Sequence, residues 1–223
     1  ETVIQVPIML ILAILLAQLL NNKHLKLRGL FRTCVFLPCA TSLVSYSLIF
    51  RSMFATDGLI NSILMKLGIL HSGYNFLGHS GSAKAVIILA LIWRWTGYNM
   101  VFYLAGLQNI EYSVYEAAKI DGANDREILF KIKIPMVMPS VTICTFLTLT
   151  NSFKLFDQNV ALTAGEPANA SEMLALNIYN TFYGRSGAQW KGIGQAKAVV
   201  FFLIVVVISL IQLHFTRSKE VQQ

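Results

Sequence analysis

The sequence predicts an all-α membrane protein. Three observations carry that expectation. Of 223 residues, 55% are apolar and 13% charged, whereas about a quarter of the residues in a soluble domain are charged. The apolar residues gather into five long runs, and the polar stretches between them alternate in Lys and Arg content as membrane loops do. Lipid is therefore the expected solvent for most of the chain.

The first segment, 3–20, is nearly unbroken aliphatic apart from Pro7 and Gln18 and is about the shortest run that spans a bilayer core. It lacks the basic leader and small-residue cleavage pattern of a secretory signal, and Glu1 is not an initiator Met, so the chain is expected to begin inside a longer protein. Residues 21–32 carry Lys23, Lys26, Arg28 and Arg32 and no acid, which predicts a cytoplasmic loop. Segment two, 33–53, has Pro38 in its first turns. Residues 54–82 are then expected outside; within them, the stretch from Gly78 to Lys84 lacks the spacing of a P-loop and reads as plain loop.

Segment three, 83–107, brings Arg94, Trp95 and Asn99 into the bilayer. A charge at the centre of a spanning helix costs about 2.5–3.5 kcal/mol, so Arg94 is expected to face the protein interior, a water-filled cavity or a partner. A structural pairing and a role in substrate passage are equally open at this point. Segment four, 136–160, repeats Thr148, Asn151, Lys154 or Leu155, and Gln158 at helical spacing, widened by Thr145 and Ser152. A polar stripe in lipid wants a passage or a neighbouring helix. Residues 161–191 are placed outside, and segment five, 194–215, ends in Arg217 and Lys219, again basic and again inside.

Between segments three and four lies a charged island, residues 110–135. Ser113 and Glu116 have capping-box spacing and predict a helix over 114–121. Gly122 suits a left-handed helix end, Asn124 and Glu127 repeat the start signal, and Pro135 is expected to close the second helix. Ala117 and Ala118 offer a small-residue surface for close approach by a partner. Lys119, Arg126, Lys131 and Lys133 are offset by Glu111, Glu116, Asp121, Asp125 and Glu127, a mixture suited to protein docking rather than lipid.

Other chemistries find little to use. Cys34, Cys39 and Cys144 sit in apolar runs with neither a pairing count nor metal spacing and read as reduced packing residues. The basic residues form no continuous stripe, so nucleic acid is not an expected partner. His24, His71, His79 and His214 are scattered, and Asp157 is the one acid well inside an expected span, which leaves an integral membrane enzyme, the less favoured alternative, little acid–base or metal chemistry to use.

The run Glu116-Ala117-Ala118, three residues, Gly122, nine residues, Ile132-Lys133-Ile134-Pro135 closely resembles the EAA loop of bacterial ABC importer permeases, with Ile134 where Leu is usual. Phe31-Arg32-Thr33, Leu37-Pro38, Trp93 to Asn99, Leu104 to Gln108, Ser152 to Asp157 and Leu162 to Pro167 resemble the carbohydrate branch, specifically its MalF-like subunit. The resemblance implies a type I importer transmembrane domain in the bacterial cytoplasmic membrane. It implies five spanning helices here, the first helix of the family's six being absent from this chain.

By the same resemblance, Glu116, Ala117, Ala118, Asp121, Gly122, Ala123 and Pro135 belong to the loop that docks a cytoplasmic ABC ATPase dimer, which would bind ATP and Mg itself; no cofactor is expected on this chain. A second, MalG-like permease completes the path, and an extracytoplasmic solute-binding protein delivers the sugar. A sugar site needs hydrogen-bonding groups and aromatic faces. Arg94, Asn99, Thr148, Asn151, Ser152 and Lys154 could supply the former, and Trp95, Phe153 and Phe156 the latter. Arg94 and Lys154 leave an importer for a sugar phosphate or glycerol phosphate as an alternative, with a polyamine importer beside it.

Overall fold

The computed structural model describes residues 2–22 and 25–217; Glu1, Lys23, His24 and Lys219, on which parts of the sequence reading fall, lie outside them. The described residues are helical and contain no strand. In chain order the helices are α1 (Thr2–Leu20), α2 (Arg28–Ala40), α3 (Leu43–Met53), α4 (Leu59–Lys66), α5 (Ser80–Gln108), α6 (Tyr112–Ile120), α7 (Asp125–Glu127), α8 (Ile134–Phe153), α9 (Asp157–Leu162), α10 (Leu174–Tyr183) and α11 (Ala188–Arg217), with a π-helical turn, Ile128–Lys133, joining α7 to α8. Four helical stretches are long and apolar enough to cross a membrane: Thr2–Leu20, Ser80–Gln108, Asp125–Phe153 and Ala188–Thr216. A fifth arises if α2 and α3 count as one span.

That fifth span corrects the expectation of a continuous helix over 33–53. α2 starts earlier, at Arg28 inside the basic stretch, and ends at Ala40, and α3 leaves at 97° to it. Pro38 cannot donate to the helical ladder and sits in the last turn of α2 rather than the first of a longer helix. Ser42 then takes a non-helical backbone (φ −58°, ψ 137°) before α3 begins.

Contacts divide the chain into two compact units. One is formed by Glu1–Gln5, Ala40–Trp93 and Asn151–Val206. In it α3 packs on α9, and Tyr46, Phe50 and Trp93 form an aromatic cluster with ring centroids 5.4–6.3 Å apart. Buried Asn61 donates to the carbonyls of Ala55 and Tyr74 at 2.9 and 2.8 Å and accepts from the Tyr74 amide, pinning the segment after α4. Asn159 does the same for the segment before α10, donating to Ser171 O and accepting from Met173 N.

The other unit comprises Val6–Cys39, Arg94–Thr150 and Val207–Gln223. Its core is Ala13, Ala17 and Leu20 of α1 against Met100, Tyr103, Leu104 and Leu107 of α5 and Val137 and Cys144 of α8. Small residues on α1 let the helices close without a hydrophobic drive of the aqueous kind. Of the cysteines, Cys144 is buried, Cys39 half-buried and Cys34 exposed, so the packing reading fits Cys144 and fails for Cys34.

Arg94 belongs to this unit and is buried, 6% exposed. Its guanidinium donates to Pro38 O at 3.3 Å and Cys39 O at 3.2 Å, carbonyls of the last turn of α2, where a cation is favourably placed against the helix dipole. Arg94→Gln removes charge-assisted bonds, and a charged hydrogen bond contributes about 1.5–3 kcal/mol. The solubilised variant should unfold at a lower temperature than the parent, with Arg94→Lys recovering only part of the loss, as a point charge reaches two carbonyls less well than a planar fork.

Candidate coupling surface and substrate path

The island forms a helix, a turn and a second helical start, with two local corrections. α6 begins at Tyr112 behind Glu111, not at Val114, and no side chain caps it; Ser113 instead donates to Glu111 Oε2 at 3.2 Å. The expected Ser113–Glu116 capping box does not form, because Ser113 already lies inside the helix, where its hydroxyl cannot meet the first free amides. The second box does form: Asn124 Oδ1 accepts from the amides of Arg126 and Glu127, while Glu127 Oε2 accepts from the Asn124 amide.

Gly122 takes φ +82°. Its amide donates to Lys119 O at 3.1 Å and that of Ala123 to Ala118 O at 2.9 Å, the paired bonds of a Schellman end. Pro135 does not close the second helix. The chain stays helical from Asp125 to Phe153, and the π turn absorbs the proline: Ile134 N–H donates to Leu129 O, five residues back, in a wider turn directly before the missing donor of Pro135.

Glu116, Ala117, Asp121 and Gly122 are exposed. Ala118 is only 8% exposed, at the base of a recess beside them. Small residues therefore meet the outside in two ways, Ala117 and Gly122 on the exposed face and Ala118 with Ala123 in the recess, because successive residues of one turn point in different directions. A recess of about 390 Å³ lies against Ala118, Asp121, Gly122, Ala123, Glu127 and Lys131. Glu127 and Lys131 form an exposed ion pair at 2.9 Å on its wall. The sequence reading missed Ile120 and Phe130, 86% and 66% exposed; large apolar residues within an otherwise charged island were the available signal. Lys133 lies over the Tyr115 ring at 5.6 Å, and burial pushes the Tyr115 phenol up.

The expected polar stripe on segment four is broken. α8 ends at Phe153, Lys154 turns back with its amide on Asn151 O, and Gln158 is buried in α9. Lys154 and Gln158 thus leave the face that carries Thr148 and Asn151. In the unit that holds them, Asn99 and Thr148 meet side chain to side chain at 3.3 Å, and Asn99 also donates to Trp95 O. Arg94 lies 5.5 Å from the Trp95 ring while its donors hold α2. In the other unit, buried Ser152 donates to Gln5 at 3.4 Å, Phe153 packs edge-on to Phe201, and Phe156 meets Tyr179 at 5.0 Å. Asn151 and Lys154 are exposed.

Residues 9–221 match the family model described as binding-protein-dependent transport system inner membrane component. The chain belongs to this family. This inner membrane component is a multi-pass membrane protein and part of a transport system, not an enzyme. It is 43% identical to the lactose transport system permease protein LacF of Rhizobium radiobacter over 98% of this chain and 73% of LacF. To the probable starch degradation products transport system permease protein AmyD of Thermoanaerobacterium thermosulfurigenes it is 39% identical, over 93% of this chain and 68% of that protein. Its fold matches a chain of a bacterial alginate ABC transporter solved in complex with an alginate pentasaccharide-bound periplasmic protein, with TM-score 0.84 and 23% identity over 97% of this permease and 76% of that chain.

Proposed function

We propose that this permease is a MalF-like subunit of an ATP-driven carbohydrate importer in the bacterial cytoplasmic membrane, with the loop 110–135 and the C-terminus on the cytoplasmic side. The observation that carries the reading is its likeness to permeases named for lactose and for starch degradation products along nearly its whole length. In this reading a MalG-like permease forms the other half of the path, and a solute-binding protein delivers sugar from outside. A cytoplasmic ABC ATPase dimer, which binds the ATP and Mg, seats on the turn at Glu116, Ala117, Asp121 and Gly122. The rigid Schellman end keeps that turn from yielding, and the helical continuity of Asp125–Phe153 carries its movement into the bilayer. ATP and sugar then bias one two-state equilibrium.

Asn99, Thr148 and Trp95 in one unit, and Asn151, Ser152, Phe153, Lys154 and Phe156 in the other, are kept as path residues, each set taken by itself. An anionic cargo loses the support of Arg94, whose donors are engaged by α2. The test is uptake of lactose, maltose and arabinotriose by cells carrying the whole transporter, with an ATPase expected to copurify with this chain. Alanine at Asn151 and Phe153 should lower uptake severalfold, the scale of losing one or two substrate contacts, with the permease still in the membrane. Unchanged uptake would remove these two residues from the path.

A further inference from the structure

A recess larger than the one beside the coupling turn lies elsewhere in the chain. In the unit built around α3 and α9, a cavity of about 590 Å³ is lined by Gln5, Lys84, Ser152, Phe153, Glu172 and Asn177, among others. A smaller one of about 270 Å³ shares Glu172 and Asn177 with it. The larger volume accommodates a saccharide of more than one ring, as ligand pockets run about 300–1,000 Å³.

Glu172 is held in position. Asn177 donates to its Oε2 at 2.7 Å and Asn180 to its Oε1 at 2.6 Å. Each carboxylate oxygen keeps a further lone pair for an incoming hydroxyl. Asn177 is fixed from behind by Lys197, whose ammonium donates to Asn177 Oδ1 and Thr181 Oγ1, both at 2.8 Å. Lys84 reaches the same cavity from the first turns of α5, and among the described residues the one ion pair is Glu127 with Lys131. Lys84 and Glu172 thus face one space without neutralising each other by contact.

We propose that this cavity is an amphoteric sugar-binding vestibule in which Lys84 and Glu172 together select saccharides of zero net charge. The proposal rests on the carbohydrate reading and names the residues that would enforce it. The carboxylate accepts from adjacent hydroxyls, the ammonium donates to hydroxyl or ring oxygens, and the Phe153 ring offers an apolar face to the C–H side of a pyranose. A ligand of either charge meets one like and one unlike charge at the cavity wall, with Lys197 a layer behind Asn177, yet still gives up its own hydration. A neutral polyol gains from both groups and surrenders no charge solvation.

Removing one charge should therefore reverse the selection in a direction set by which charge remains. The permease–ATPase complex in nanodiscs is assayed for binding of radiolabelled lactose, maltose and arabinotriose, with unlabelled disaccharides bearing either a uronic carboxylate or an amino group as competitors. Glu172→Gln, which retains an acceptor for Asn177 or Asn180, should raise the affinity for the uronic sugar relative to the neutral one about tenfold, and Lys84→Met should do so for the amino sugar, as expected of a partly solvated charge pair. A merely structural role would lower all affinities together. Parallel losses, unmoved selectivity, or no binding of any neutral probe to the wild-type complex overturns the vestibule. Failure of whole cells to take up any of the three neutral sugars instead removes the carbohydrate reading beneath it.

Discussion

Gly122→Trp should abolish sugar uptake while leaving the permease in the membrane in its normal amount. The backbone at Gly122 has φ +82°, and a Cβ built there meets nothing within 4 Å in this chain. The intrinsic cost is thus about 1–2 kcal/mol of left-handed strain, too little to unfold a protein whose core lies elsewhere. What a large side chain does encounter is any partner seated on the exposed face of the turn. Gly122→Asn separates the two effects, as Asn tolerates this conformation and is small, so it should retain a substantial fraction of uptake. Uptake and copurifying ATPase are measured together; normal uptake by Gly122→Trp would exclude this turn as the coupling surface.

Gly97 gives the second large effect, of the opposite kind. A Cβ on Gly97 of α5 would stand 2.0 Å from the carbonyl oxygen of Val35 and 3.0 Å from Phe36 Cα, both backbone of α2. A rotamer change cannot relieve a clash with backbone. Even Gly97→Ala should exceed the about 1–3 kcal/mol of ordinary overpacking, and Gly97→Leu should deplete the protein from membranes. Gly81, in the same helix but with nothing within 4 Å, is the control: Gly81→Ala should be neutral or stabilise by up to about 1 kcal/mol. Immunoblots of membranes and size exclusion in detergent distinguish the two, and full-length, monodisperse Gly97→Leu protein would contradict the close α2–α5 approach.

The contrast between these glycines shows where the sequence was legible. Gly122 could be read because its role is local: a helix end followed by Asn124 and Glu127 is a pattern written over a few residues. Gly97 could not, because the carbonyl it accommodates lies more than sixty residues away. Arg94 is similar. Its insertion cost demanded some interior partner, but only folding chose two α2 carbonyls over substrate. Ser113 misled for a different reason, since helix starts shift by one or two residues when Glu111 offers an equally good extended residue ahead of it.

Written into short stretches of chain are the class of protein and its punctuation: apolar runs long enough for a bilayer, the Gly122 turn, the Asn124–Glu127 cap and the motif around them. These depend on composition, periodicity and bonds between residues two to five apart. Folding settles that the helical stretch expected as the second span bends after Ala40, that Pro135 is absorbed by a π turn rather than ending a helix, and that Ala118 sits at the base of a recess rather than on the open face. It also brought Lys84 to the same cavity as Glu172, on α5 and just ahead of α10. Each of these turns on which backbone or side chain arrives from a distant part of the chain, and packing geometry, unlike capping or hydropathy, has no short-range signature.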